Sequence, residues 1–175
     1  MSFADIYTAK EKFGGQPKYS CCILIDPETA HGKDNLSRFK EICVQLEKES
    51  FGGEPLATDK YPIKKGEGRY DGWEDPVLVL SAANKKRPKI VNQRREAVEQ
   101  GDIGAPESGD FCNFVIDIWA MDGQYGKRIC ASLEAIQLCK QGEKFTSSNV
   151  SIENDFEVIS GDSATVAEVK EAFGI

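Results

Sequence analysis

The most regular alternation of apolar and polar positions lies at residues 111–121, "FCNFVIDIWAM". Cys112, Phe114, Ile116, Ile118 and Ala120 fall on one wholly apolar face, and Phe111, Asn113, Val115, Asp117, Trp119 and Met121 on a mixed one. A period of two with one apolar face predicts a strand that buries that face. "DGQYGK" follows as a hairpin turn. "RICASLEAIQL" returns with Ile129, Ala131, Leu133 and Ala135 inward. Ile136 and Leu138 then break the parity, and a bulge near Ala135 would absorb the slip. Upstream, "PKYSCCILID" (17–26) sets Tyr19, Cys21, Ile23 and Ile25 against Lys18, Ser20, Cys22, Leu24 and Asp26. "MSFADIYTAK" alternates weakly as a first strand, "VLVLSAAN" (77–84) reads as another, and "PKIV" (88–91) as a short partner strand.

One segment has the helical period instead. Over residues 35–50, Leu36, Phe39, Ile42, Cys43 and Leu46 form an apolar stripe, with Asp34 placed to cap the first turn and Phe51-Gly52-Gly53 to end the helix. "PETAHGK" (27–33) reads as a loop, residues 52–76 as a long connection with little period, and "GDIGAPESGD" (101–110) as a turn-rich link. Near the end, "SATVAEVKEAFGI" aligns Val166, Val169 and Phe173 as a short helix. The order is two strands, a helix, a long loop, then three or more strands. Five or six strands with one helix fit a mainly β, OB-fold five-stranded Greek-key barrel with its helix between the early and middle strands. Periodicity by itself supports only a β-rich chain with one helix, and several folds answer to that.

Length changes this picture little: 175 residues suit one domain, at 1–150, with residues 151–175 as an acidic C-terminal segment. No apolar run is long enough to span a bilayer, and "MSFADIYTAK" lacks an export signal, so a cytoplasmic location is expected. Cys21, Cys22, Cys43, Cys112, Cys130 and Cys139 form no C-x-x-C pair, and the single histidine, His31, sits in a polar turn. Reduced thiols packed as small apolar groups are expected, with Cys21 and Cys22 on opposite faces of their strand. No metal or cofactor is expected.

Charge adds a candidate chemistry. The chain is acidic overall, at −7, yet residues 60–95 hold ten Lys/Arg against four Asp/Glu, a net +6 that leaves −13 on the rest. Within it, "SAANKKRPKIVNQRR" (81–95) contains no acid. A basic patch on an acidic body suits a polyanionic ligand, and a solvated lysine-rich loop is the plainer alternative. Aromatic residues add weight to the first. Tyr61, Tyr70 and Trp73 alternate with Lys60, Lys64, Lys65 and Arg69 in the long connection. Rings beside cations suit single-stranded nucleic acid, because rings stack on unpaired bases and cations meet phosphates. Tyr61 either stacks in this way or anchors its loop. Trp119, on the mixed strand face, is either part of the floor of a groove or covered by the helix or the long loop. Lys85, Lys86, Arg87 and Lys89 follow a strand end and can form a phosphate track, continued by Lys127 and Arg128 around the turn that carries Tyr125.

Enzyme chemistry has little to stand on. Asp71, Glu74 and Asp75 could hold a metal, but solvated loop acids are commoner. "KKGEGRYDG" lacks the spacing and terminal Lys-Ser/Thr of a phosphate-binding loop, and there is no nucleophile elbow. A protein-interaction scaffold using the acidic surface and tail, or an RNA-binding module, remains as an alternative.

The stretches "FGGQPKYSCCILID", "LSAANKKRPKIVN" and "FCNFVIDIWAMDGQYGKRICASLEAIQLCKQGEKF" resemble a group of phage and prophage proteins long labelled a domain of unknown function, similar to single-stranded-DNA-binding proteins of the T7 type. The resemblance covers roughly residues 1–156. It implies an OB fold, sequence-tolerant binding of single-stranded DNA, and a place in phage DNA replication or recombination, in the host cytoplasm. It also implies an acidic C-terminal segment that competes with DNA and recruits replication or recombination proteins. The T7-type tail is a dense acid run ending in an aromatic residue. Residues 151–175 carry six acids and one lysine and end "EAFGI", so a packed helix is the alternative there.

Overall fold

The computed structural model describes residues 1–11, 15–66 and 77–144. Its strands are β1 (Ser2–Lys10), β2 (Lys18–Ile25), β3 (Ile63–Lys65), β4 (Leu78–Asn84), β5 (Lys89–Val91), β6 (Phe111–Gly123) and β7 (Gly126–Lys140), with one α-helix, α1 (Ala30–Phe51), between β2 and β3. Two sheets result, in the orders β1-β2-β4-β3 and β5-β7-β6. All pairings are antiparallel except that of β5 with β7. The β-rich fold with one helix between early and middle strands is as expected. The strand count differs, because β3 is a three-residue strand with no readable period inside the long connection.

Hydrophobic burial holds the sheets face to face. Ile6, Cys21, Ile23, Leu80 and Ala82 from the first meet Ile90, Ala131, Leu133 and Ile136 from the second, with Phe114, Ile116 and Ile118 of β6 packed against them. Cys21 is therefore in the core, while Cys22 and Leu24 pack with Val77 and Val79 on the reverse face. The register of β6 on β7 shifts between Val115 (opposite Ala135) and Ile116 (opposite Leu133), leaving Glu134 as the extra residue. That bulge is the parity slip seen in the sequence.

The helix begins earlier than its apolar stripe indicates, so residues 30–33 are helix rather than loop. Thr29, not Asp34, is the N-cap: its Oγ1 accepts a hydrogen bond from the Gly32 amide at 3.0 Å. Asp34 pairs instead with Arg38 one turn on, at 3.2 Å. Gly32, read as a loop signal, is there because a Cβ would collide with the Asp26 carbonyl. The helix ends as expected at Gly52, whose φ of 76° is left-handed. Its buried stripe runs through Cys43, Glu47 and Phe51 and packs with Ile129, Ile118 and Ala120 of the β6–β7 hairpin. Ile42 lies off it and is exposed. Among the described residues, no helix is long and apolar enough to cross a membrane.

Candidate nucleic-acid interface

The inner face of the β5-β7-β6 sheet is spent on the core. Its outer face follows from register. Lys89 and Val91 of β5 stand beside Ala135 and Gln137 of β7, and these in turn stand opposite Val115 and Asn113 of β6. Beyond the bulge the face continues through the pairs Asp117–Ser132, Trp119–Cys130 and Met121–Arg128. Cross-strand partners share a face, so one surface collects residues from three strands.

That surface exposes several large apolar side chains among polar ones. Phe111 is 52% exposed, Val115 60% and Trp119 38%, and Tyr125 in the hairpin turn is 71% exposed. Four-residue spacing in a strand places the first three in a single file. Helix α1 packs on the hairpin against Ile118, Ala120 and Ile129, and the chain just after β7 passes beside the Phe111 ring at Gly142. Trp119 is oriented rather than loose, because its indole N–H donates to Ser132 Oγ at 2.9 Å. Asn113 Nδ2 reaches Gln137 Oε1 at 3.4 Å across the same strands. An exposed file in which Phe111, Val115 and Trp119 alternate with Asn113 and Asp117 is a candidate interaction site.

Cations border the file. Lys89 is on the face itself, and Arg128 lies at its far end with its guanidinium 5.8 Å from the Tyr125 ring centroid. Arg128 Nε is shielded from water and has no hydrogen-bond partner among the described residues. An orphan donor of this kind is costly unless a ligand satisfies it. Lys85 and Lys86 are exposed in the turn between β4 and β5. Asn84 staples that turn to the bulge: its Nδ2 donates to the Leu133 carbonyl (3.2 Å) and to Glu134 Oε1 (2.8 Å), while its Oδ1 accepts from the Lys86 amide (3.0 Å). None of Lys85, Lys86, Lys89 or Lys140 has an acidic partner among the described residues. Asp117 is the one acid within the file of β6.

Other residues singled out in the sequence fall elsewhere. Arg87 forms a two-pronged pair with Glu99, Nη1 to Oε1 at 3.0 Å and Nη2 to Oε2, which holds the Glu99 carboxyl below its ordinary value. Its charge is already answered. The Lys127 ammonium sits 5.6 Å from the ring centroid of buried Phe51, at the end of α1, so the structure directs it to the helix. Tyr61 packs against Cys43, Phe51 and Ile129 and donates its hydroxyl to buried Glu47, whose Oε1 also accepts from the Leu56 amide at 3.4 Å. Burial, then this bond, pushes the phenol up to about 12. Tyr61 is a loop anchor here. Lys64 and Lys65 are exposed on β3, the edge of the other sheet. Arg69, Tyr70 and Trp73, like Asp71, Glu74 and Asp75 and the segment 151–175, lie outside the described residues. Phe111 and Val115 are additions. Their parity with Trp119 was visible, but only the two-sheet packing reveals that their face stays open.

Two facing sheets with a helix on one hairpin and a ring-bearing outer face, together with the family and structural matches below, place the chain in the OB-type class of phage single-stranded-DNA-binding proteins. The chain belongs to the family described as Enterobacter phage Enc34, ssDNA-binding protein, whose model matches residues 1–169. It is similar to the solved single-stranded DNA-binding protein from bacteriophage Enc34 in complex with ssDNA, with 27% identity, a TM-score of 0.70, and coverage of 83% of this chain and 84% of that one. A curated relative, putative protein p50 of Acyrthosiphon pisum secondary endosymbiont phage 1, is 30% identical over 103 residues, 58% of this chain and 54% of its own. The matched part thus spans about half the length of that relative. Similarity to gp2.5, a single-stranded DNA binding protein encoded by bacteriophage T7, covers 94% of this chain at a TM-score of 0.53 and 14% identity, and shows the fold alone.

Proposed function

We propose that this chain binds single-stranded DNA without regard to sequence, in phage DNA replication or recombination in the host cytoplasm. The observation that carries this is the exposed file of Phe111, Val115 and Trp119, bordered by lysines that have no acidic partner among the described residues. Unpaired bases offer flat apolar faces to that file, and the phosphates fall to Lys85, Lys86, Lys89 and Arg128 at its borders. Membership in the Enc34 family and likeness to a relative solved with ssDNA support the reading. It assigns the chain no catalytic step and no cofactor. The domain is taken as residues 1–150. The acidic segment 151–175 is assigned to recruiting replication or recombination proteins and to competing with DNA, and its deletion then tightens DNA binding.

A titration with poly(dT), duplex DNA and RNA at several salt concentrations tests this. Tight, salt-sensitive binding of poly(dT) and weak binding of duplex are expected. If three to five phosphates are neutralised, the slope of log K against log[salt] is about −2 to −3.5. Equal affinity for duplex would reduce the face to plain electrostatics. Tighter binding of RNA than poly(dT) would change the ligand, and no binding of either would favour the interaction scaffold.

A further inference from the structure

The basic run does not end at Lys89. After β5 the chain turns back, with Val91 bridged antiparallel to Ala97 and the Asn92 amide donating to the Glu96 carbonyl at 3.0 Å. Asn92 holds the tip rigid. Its Oδ1 accepts from the amides of Arg94 (2.8 Å) and Glu96 (3.0 Å), and its Nδ2 donates to Glu96 Oε2 (2.8 Å). At the tip stand Arg94 and Arg95, both exposed, and neither guanidinium has an acidic partner among the described residues. Arg95 has φ of 65°, the one non-glycine residue in the left-handed region among those described. Glycine or asparagine would sit there with less strain, and strained side chains in sparsely populated backbone regions cluster where a ligand is held.

The tip's position gives it a role. Gln93 Nε2 donates to the Cys139 carbonyl at 2.7 Å and so fixes the hairpin at the end of β7. The next residue, Lys140, is the cross-strand partner of Phe111. Arg94 and Arg95 therefore stand at the Phe111 end of the file, and Tyr125 and Arg128 at the other. We propose that the Arg94–Arg95 tip is a second phosphate anchor, closing the far end of the track and setting the length of strand that one protomer engages. This rests on the reading of the outer face as a single-stranded-DNA site. From Phe111 to Met121 the strand advances about 33 Å at about 3.3 Å per residue. At a stacked rise of about 3.4 Å per nucleotide that is at most about ten nucleotides, and fewer as the strand extends.

The test is a ladder of oligo(dT) from about 4 to about 16 nucleotides, measured with wild type, Arg94→Ala/Arg95→Gly, and Arg94→Ala/Arg95→Asn. Glycine and asparagine both accept the left-handed backbone, so both variants should melt at or above the wild-type temperature. Wild-type affinity should step up once the oligonucleotide spans both ends. In the variants the step should vanish, the shortest oligonucleotides should bind as before, and the salt slope on long strands should flatten by about 1.4, at about 0.7 per phosphate lost. Unchanged length profiles and slopes in variants whose parent binds poly(dT) would overturn the anchor while sparing the outer face. Uniform weakening at every length would assign the charges to the general field and also overturn it. Failure of the wild type to bind at any length would remove the DNA-binding reading itself.

Discussion

Replacing Trp119 with leucine separates a ring that stacks from one that merely packs. Trp119 is 38% exposed, so roughly three-fifths of its surface is already out of water. An aromatic side chain offers about 150–250 Å², so that part is about 90–150 Å² and contributes about 2–4 kcal/mol of stability. Alanine would forfeit most of this and confuse unfolding with lost affinity. Leucine retains much of the apolar contact but lacks a flat π-face. Phenylalanine retains a flat ring but loses the pyrrole half of the indole and the N–H bond to Ser132, the bond worth about 0.5–1.5 kcal/mol. Trp119→Leu and Trp119→Phe should therefore melt within a few degrees of each other. Their affinities should diverge, because a stacked base is worth about 1–3 kcal/mol, or about 5- to 150-fold. Anisotropy of a labelled oligo(dT) reads binding without relying on tryptophan emission, and circular dichroism reads the melt. Wild-type affinity in folded Trp119→Leu would refute the stacking role and with it the central station of the file.

Lys89→Ala and Arg128→Ala should each weaken poly(dT) binding and flatten the salt slope by about 0.7. Arg87→Ala should do so less, because Glu99 already occupies its guanidinium; the reverse order in a salt titration would contradict the assignment. Asp117→Asn, which removes the acid from the middle of the file, should tighten poly(dT) binding by about 1 kcal/mol or about fivefold at low salt and raise duplex binding by more; an unchanged ratio of the two affinities would count against it. Tyr61→Phe leaves the buried Glu47 carboxylate without its hydroxyl donor and should cost about 1–3 kcal/mol in urea unfolding, with oligo(dT) affinity intact in the folded protein. Burial raises Tyr61 and Tyr7 from 10.0, and Cys21 and Cys112 from 9.0, all to about 12. The folded chain then holds more protons than the unfolded one between these values, so stability should fall as pH rises from 9.0 toward 12. A urea midpoint that stays flat there would contradict it, and Tyr61→Phe should lessen the fall.

How much of this was legible depended on whether a residue's fate was set locally. The faces of β2, β6 and β7, the bulge beside Ala135 and the two-residue turn at Gln124-Tyr125 follow from parity and turn chemistry, which are written in adjacent residues. The start of α1 was not, because Gly32 answers to the Asp26 carbonyl rather than to its own helix. β3 escaped because three residues cannot display a period. The sequence leaves Tyr61 open between stacking and anchoring, and reads Lys127 into the track, for a common reason. Each sits in a basic or aromatic stretch, yet each is pulled onto α1, by Glu47 and by Phe51, and no local pattern announces a partner 14 or more residues away. Arg87 likewise looked like the centre of a cationic run until Glu99, twelve residues on, folded back to it. Phe111 and Val115 had the right parity, but parity says only which residues share a face, not whether that face is covered.

On the proposed reading, the placement of charge around the file would keep the patch of cations from making a general DNA binder. Duplex DNA presents phosphates outward and hides the faces of its bases, so against it the apolar file would remain wet and only the bordering cations would act. Those cations are spread around the rim: Lys85, Lys86 and Lys89 to one side, Arg128 at one end, Arg94 and Arg95 at the other. The middle alternates Val115 and Trp119 with Asp117, which repels a phosphate but can accept hydrogen bonds from base amino groups. A strand that binds there with its bases inward satisfies both zones together. On that reading, a strand with its bases inward therefore gains from both zones, whereas a duplex gains from the rim alone.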